Sequence, residues 1–214
     1  MSKQLESIRF LHANRKWVIA IVIASFSYLL TFVTKYPEVY ALNLQAVLVL
    51  GLVGLISSAL ISLAIYDWRH YSIPAIATLV ITILLAVTNL LAFIIAGNNL
   101  QFADFSHQPG SALLAGISAA GFVICLILIT RGKGIGTGDI FLAAIMGFCL
   151  GLDKILIGFY ISIISASAFG MYRALKLRQF KGVRLPLVPF IVAGILITIL
   201  IAPDLKTLLA EFYP

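Results

Sequence analysis

Acidic side chains are scarce in this chain. Asp and Glu together number 8 among 214 residues, and charged residues of both signs make up 11%. A soluble domain carries roughly a quarter charged residues, so this composition argues against an ordinary water-facing protein. Cysteine is nearly absent as well: Cys125 and Cys149 are the two present. They sit in apolar stretches, in no metal-ligand spacing, so neither a disulfide framework nor a cysteine zinc site is expected. Both read as small buried apolar residues. Strand-like alternation is also lacking, and so are the glycine spacings of phosphate-binding and dinucleotide-binding loops.

What the chain has instead is long apolar sequence. Hydrophobic residues make up 62%. Charge-free runs cover Trp17–Thr34, Val39–Tyr66, Tyr71–Ala103, Ile155–Tyr172 and Leu185–Pro203, and Phe105–Thr130 is interrupted only by His107. A helix crossing a hydrocarbon core of about 30 Å takes roughly 20 residues, and helices satisfy the backbone in lipid without a partner strand. The expectation is an all-α polytopic membrane protein with about seven transmembrane helices, near 17–34, 42–66, 73–96, 111–130, 139–152, 155–172 and 186–203. The fifth is short and carries a Gly147-x-x-x-Gly151 pair, which reads either as a close helix contact or as chance. The first run ends at Lys35-Tyr36-Pro37 without a small-residue cleavage site, so it reads as a retained helix. Residues 1–16 form a basic tail, and 17–214 read as one membrane domain.

Charge orients the spans. With the N-terminus in the cytoplasm, Lys35, Lys154 and Lys206 fall outside and the other twelve of the 15 Lys and Arg residues fall inside. That is a strong positive-inside bias. The net charge of +7 is therefore a feature of topology, and no nucleic-acid partner is expected. Trp17, Trp68 and Tyr71 fit an aromatic belt at the interface.

Under this topology three acids face the cytoplasm: Glu6, Asp67 and Asp139. Glu6 lies in the polar tail. Asp67 closes the second span, and Asp139 opens the fifth behind Gly134, Gly136 and Gly138. An ionisable group near lipid is expensive, which favours a functional reading. Two carboxyls on one membrane face can work as an aspartyl pair. One takes a proton from water while the other donates to the scissile carbonyl. Glycines beside them permit positive φ and leave room for an extended peptide. Gly-x-Gly-Asp alone also reads as a flexible turn, with the Asp as a helix cap. His70 reads as either a neighbour tuning Asp67 or a headgroup-facing side chain.

These motifs resemble the Gly-x-Gly-Asp membrane aspartyl proteases, and within them the type IV prepilin peptidases. Asp67 with Ile73-Pro74 is similar to the family's first aspartate and its downstream Ile-Pro. Gly134-Ile135-Gly136-Thr137-Gly138-Asp139 resembles the second aspartate motif. Pro186-Leu187-Val188-Pro189-Phe190 resembles the proline–phenylalanine motif opening the last helix. The resemblance spans about 45–200. It implies catalysis by Asp67 and Asp139, with Gly134, Gly136 and Gly138 supporting the substrate loop. The implied reaction is cleavage of a basic leader from pilin-like or preflagellin-like precursors at the cytoplasmic membrane face, without metal or cofactor. Ala75 stands where the family usually has Asn, and Phe141 where it usually has Lys; both departures bear on substrate preference. The bifunctional members carry paired Cys-x-x-Cys motifs linked to N-methylation. With only Cys125 and Cys149, this chain resembles the short form. Two other readings compete: a small proton- or cation-coupled transporter using the same acids, and a non-catalytic component of a pilus or secretion machine. Transporters usually hold ionisable groups near the bilayer midplane, whereas these acids sit at helix ends.

Overall fold

The computed structural model describes residues 19–34, 44–96, 101–102, 105–106, 108–132, 136–177 and 185–212. The basic tail, Glu6, Trp17 and Gly134 lie outside the described residues. The elements in chain order are α1 (Ile19–Thr34), α2 (Leu44–His70), α3 (Ala75–Ala96), the two-residue strands β1 (Gln101–Phe102) and β2 (Phe105–Ser106), α4 (Pro109–Thr130), α5 (Thr137–Leu177) and α6 (Val188–Phe212). The strands pair antiparallel, Gln101 with Ser106 and Phe102 with Phe105.

Among the described residues, four helical stretches are long and apolar enough to cross a membrane: Gly51–His70, Ala75–Ile94, Pro109–Thr130 and Thr137–Lys176. Ile19–Thr34 and Val188–Ile201 are shorter apolar helices. The chain is thus an all-helical, multi-pass membrane protein, apart from the small β1–β2 ladder.

The expected fifth and sixth spans are two arms of α5, broken at Gly151 (φ 71°, ψ 175°). In a straight helix, Met146 and Gly158 would lie about 18 Å apart along the axis, at 1.5 Å per residue. Instead, a Cβ placed at Gly158 would touch the Leu150 side chain and lie 2.8 Å from Met146 Cε. The arms therefore fold back on each other. Gly151 is required here because an L side chain rarely adopts this positive φ. Ser111 of α4 accepts the Leu152 amide just past the break (3.0 Å). Asp153 and Lys154, expected in a loop, belong to the second arm, because the reversal consumes one residue only.

The short first arm of α5 is the centre of the molecule. Leu142, Ala144, Ile145, Met146, Phe148 and Leu150 are all buried, as expected of a helix apolar on every side. They pack with Leu60 and Leu63 of α2, Leu85 of α3, and Val188, Val192 and Ile195 of α6. Small residues set the spacing. A Cβ at Gly147 would lie 2.5 Å from the Ala115 carbonyl and from Gly116 Cα, so α4 and α5 touch backbone to backbone. The Gly147-x-x-x-Gly151 pair thus divides its work: Gly147 makes the helix contact and Gly151 the reversal. Between the second arm and α6, Gly194 faces Ser162 across a similar seam, and the Ser162 and Thr198 hydroxyls donate to carbonyls of their own helices. Cys125, expected to be buried, is exposed on α4, and Cys149 is half-buried. An apolar environment outside the protein accepts such a side chain as readily as the core does.

Candidate active site

Asp67 lies in the last turn of α2, which runs on to His70 rather than ending before the acid. It is 3% exposed. A buried carboxylate requires hydrogen-bond donors, and the donor comes from the far end of the chain. The Val188 amide donates to Asp67 Oδ2 at 3.1 Å. The proline–phenylalanine motif explains why that amide is available. The first amides of a helix have no partner within it. Pro189 has no N–H, and the Phe190 and Ile191 amides both return to the Leu187 carbonyl at 3.2 Å. Val188 is left as the donor of the first turn of α6, and Asp67 caps it. Asp67 therefore stands at two helix ends at once, closing α2 and opening α6.

Asp139 is the third residue of α5. Its Oδ2 accepts from the Gly136 amide at 2.9 Å, and its own amide donates to the Gly136 carbonyl at 3.1 Å. This is the returning half of a capping box, with the acid reaching back to the residue before the helix. The capping reading considered from sequence is thus met in altered form, with Asp139 inside the first turn rather than at the cap position, and the bond orients the same carboxyl that the catalytic reading requires.

The two acids are joined through the turn after α2. Tyr71 closes that helix by donating its amide to the Asp67 carbonyl (2.8 Å). Two residues later, Ile73 lies against Gly138: a Cβ there would be 3.1 Å from Ile73 Cδ1 and 3.3 Å from its Cβ. The Ile-Pro and Gly-x-Gly-Asp motifs are therefore in contact. Pro74 then opens α3, its carbonyl accepting the Thr78 amide at 3.0 Å and the Thr78 hydroxyl at 3.2 Å. Ala75 is exposed at the start of α3, and Phe141 is half-buried one turn into α5.

Some expectations need correction. Of the described glycines in the loop before Asp139, only Gly132 has positive φ. Gly138 serves instead by its lack of a side chain against Ile73, and a Cβ added at Gly136 would meet nothing nearer than the Asp139 carboxyl at 3.8 Å. His70 does not engage Asp67. Its ring stacks on Tyr66 at 4.4 Å, with Nδ1 3.1 Å from the Tyr66 carbonyl, because the helical turn points residue 70 back over residue 66. Trp68 and Tyr71 do more than line an interface. Trp68 packs on Phe169 (5.3 Å between ring centroids), Phe169 packs on Phe190 (5.4 Å), and the Tyr71 hydroxyl accepts from Arg173 Nη1 (2.8 Å). The Val188 amide was the contact least accessible from sequence; the proline one residue later was its only signal.

A steric test follows. Gly138→Ala is expected to displace Ile73 by a few tenths of an ångström and reduce activity, and Gly138→Val to reduce it further. Adding Ile73→Val to Gly138→Ala removes the nearest contact, Cδ1, while Cβ and Cγ2 stay at 3.3 Å, so it should recover part of the loss. Activity of the three variants relative to a shared thermal-melting control checks this, and failure of the second substitution to rescue would show that the contact is not what matters.

The family model described as the type IV leader peptidase family matches residues 53–171, more than half of the chain. The prepilin leader peptidase/N-methyltransferase of Bacillus subtilis (strain 168) is 33% identical over 131 residues, covering 56% of this chain and 52% of that protein. The chain thus spans about half the length of this curated relative. No solved structure matches. The matched segment contains Asp67, Ile73, Gly138 and Asp139 but stops before Val188, so the contact between Asp67 and α6 is known from the structure alone.

Proposed function

This chain belongs to the type IV leader peptidase family, and from that premise we propose that it is a membrane aspartyl endopeptidase whose catalytic pair is Asp67 and Asp139. Its substrates are prepilin-like precursors, cut at the cytoplasmic face to release a short basic leader while the apolar helix of the precursor stays in the bilayer. Residues 17–214 form the peptidase domain.

The reading rests chiefly on the seating of Ile73 against Gly138, which joins the two acid-bearing helix ends. Each carboxyl has Oδ2 held by a backbone amide, Val188 for Asp67 and Gly136 for Asp139. In the proposed mechanism the two Oδ1 atoms face the reaction. An aspartyl pair works with one proton between its two carboxyls. The ionised member takes a proton from water, and the protonated member donates to the oxygen of the scissile carbonyl. The tetrahedral intermediate then collapses as a proton passes to the leaving amine, and the pair returns to its starting charge. Preorganisation by two fixed amides lowers the cost of orienting both acids at the moment of reaction.

The test is reconstitution in liposomes with a precursor carrying a basic leader. A leader-sized fragment is expected by mass spectrometry, with the cut on the leader side of the apolar helix. Several intact precursors after incubation with folded protein would overturn the reading.

A further inference from the structure

One face of the second arm of α5 grips the surroundings of Asp67 and of the Val188 amide that it accepts. Phe169 sits between Trp68, the neighbour of Asp67, and Phe190, two residues beyond Val188. One helical turn later, Arg173 reaches the loop after α2. Its Nη1 donates to the Tyr71 hydroxyl at 2.8 Å, and its guanidinium carbon lies 5.3 Å from the centroid of the Tyr71 ring. The hydrogen bond and the cation–ring contact hold one side chain in one place.

That side chain belongs to a strained residue. Tyr71 has φ 50°, in the left-handed region that a bulky aromatic residue rarely enters. Such a conformation persists only when its surroundings over-determine it. Here the Asp67 carbonyl holds the Tyr71 amide and Arg173 holds the hydroxyl. The direction in which the chain leaves Tyr71 decides where Ile73 lands, and Ile73 lands on Gly138, next to Asp139.

We propose that Arg173, acting through Tyr71, is a positioning residue that sets the spacing of Asp67 and Asp139 by fixing the 71–73 turn. The proposal rests on the reading of these acids as the catalytic pair. The role is geometric: without Arg173, Tyr71 relaxes toward negative φ, Ile73 leaves Gly138, and the two carboxyls lose register. A misplacement of about 1 Å costs on the order of 100-fold in rate.

The experiment compares kcat and KM for cleavage of a pilin-like precursor by the full chain in liposomes. The variants are Arg173→Ala, Arg173→Lys, Tyr71→Phe and the double variant Arg173→Ala/Tyr71→Phe, with Asp67→Asn and Asp139→Asn alongside. Arg173→Ala is expected to lower kcat by roughly 100-fold with KM within about twofold. Tyr71→Phe keeps the ring and loses the acceptor, so its loss is smaller. The double variant should be no worse than Arg173→Ala, since the hydrogen bond lost in Tyr71→Phe is already lost there. Arg173→Lys should recover part of the rate, because an ammonium can donate to the hydroxyl but lacks the planar guanidinium. Unchanged kcat in folded Arg173→Ala overturns the proposal, as does a rise in KM alone, which would place Arg173 on the substrate. If Arg173→Ala fails to fold, Tyr71→Phe decides: reduced kcat supports positioning and unchanged kcat overturns it. Inactive Asn variants beside a fully active Arg173→Ala would defeat the positioning role alone. Active Asn variants would defeat the catalytic pair, and this proposal with it.

Discussion

Asp67→Asn and Asp139→Asn are each expected to lower leader removal by about 10²–10⁴-fold, the usual contribution of a positioned acid or base. Asn is the informative replacement because the structure separates two duties of each carboxyl. The Asn carbonyl oxygen can still accept the Val188 amide at position 67 or the Gly136 amide at position 139, so both helix starts keep their caps. Only proton exchange is lost. Thermal melting of the Asn variants should stay close to that of the parent. Asp67→Ala is different, because it leaves the Val188 amide buried without its acceptor, which costs about 1–3 kcal/mol. The Ala variant should therefore be both inactive and less stable. The two Asn substitutions should not add, since a pair that shares one proton is disabled by the loss of either member. Processing by either Asn variant at the parent rate would end the aspartyl mechanism.

Gly147→Val is expected to abolish the folded protein rather than its chemistry. The first arm of α5 is the core, and at Gly147 it meets α4 backbone against backbone. A Cβ would lie 2.5 Å from the Ala115 carbonyl and Gly116 Cα, and backbone cannot rotate away as a side chain can. Relief requires the helices to separate, which opens the contacts of Phe148 with Gly116 as well. Overpacking commonly costs about 1–3 kcal/mol even where side chains can adjust, and here the cost is higher. Even Gly147→Ala should lower the melting temperature. Gly121→Ala, on α4 with nothing within 4 Å of the added Cβ, is the matched control and should melt like the parent. The yield of monodisperse protein and its melting curve in detergent decide the matter, and a Gly147→Val protein that melts normally would refute the close approach.

Asp139 shows how far sequence reading reaches. Its place at a helix start followed from the glycines before it and the apolar run after it, and the structure bears this out. The sequence offered Asp139 as the cap residue itself; the structure makes it the third residue of the helix, reaching back to the Gly136 amide. The role of Gly138 was harder to read, since glycine signals either positive φ or close approach, and only the packing of Ile73 distinguishes them. Gly147 and Gly151 made a recognisable pair, yet one is a contact and the other a reversal. His70 left two readings open, and the helix chooses between them: residue 70 lies back over residue 66, stacked on the Tyr66 ring and away from Asp67.

The sequence by itself determined the solvent of this protein, its helical class, the approximate limits of its spans and the two acids worth testing. Those properties are local sums: hydropathy accumulates along a run, and an isolated carboxyl among apolar residues stands out wherever the chain goes. Tertiary structure alone decided that α5 doubles back at Gly151, that Ile73 joins the two acid motifs, and that Asp67 caps α6. The last contact spans the chain from residue 67 to residue 188 and ends on a backbone amide. Every residue but proline carries such an amide, so its identity is silent in the sequence, and only folding reveals which one meets the acid.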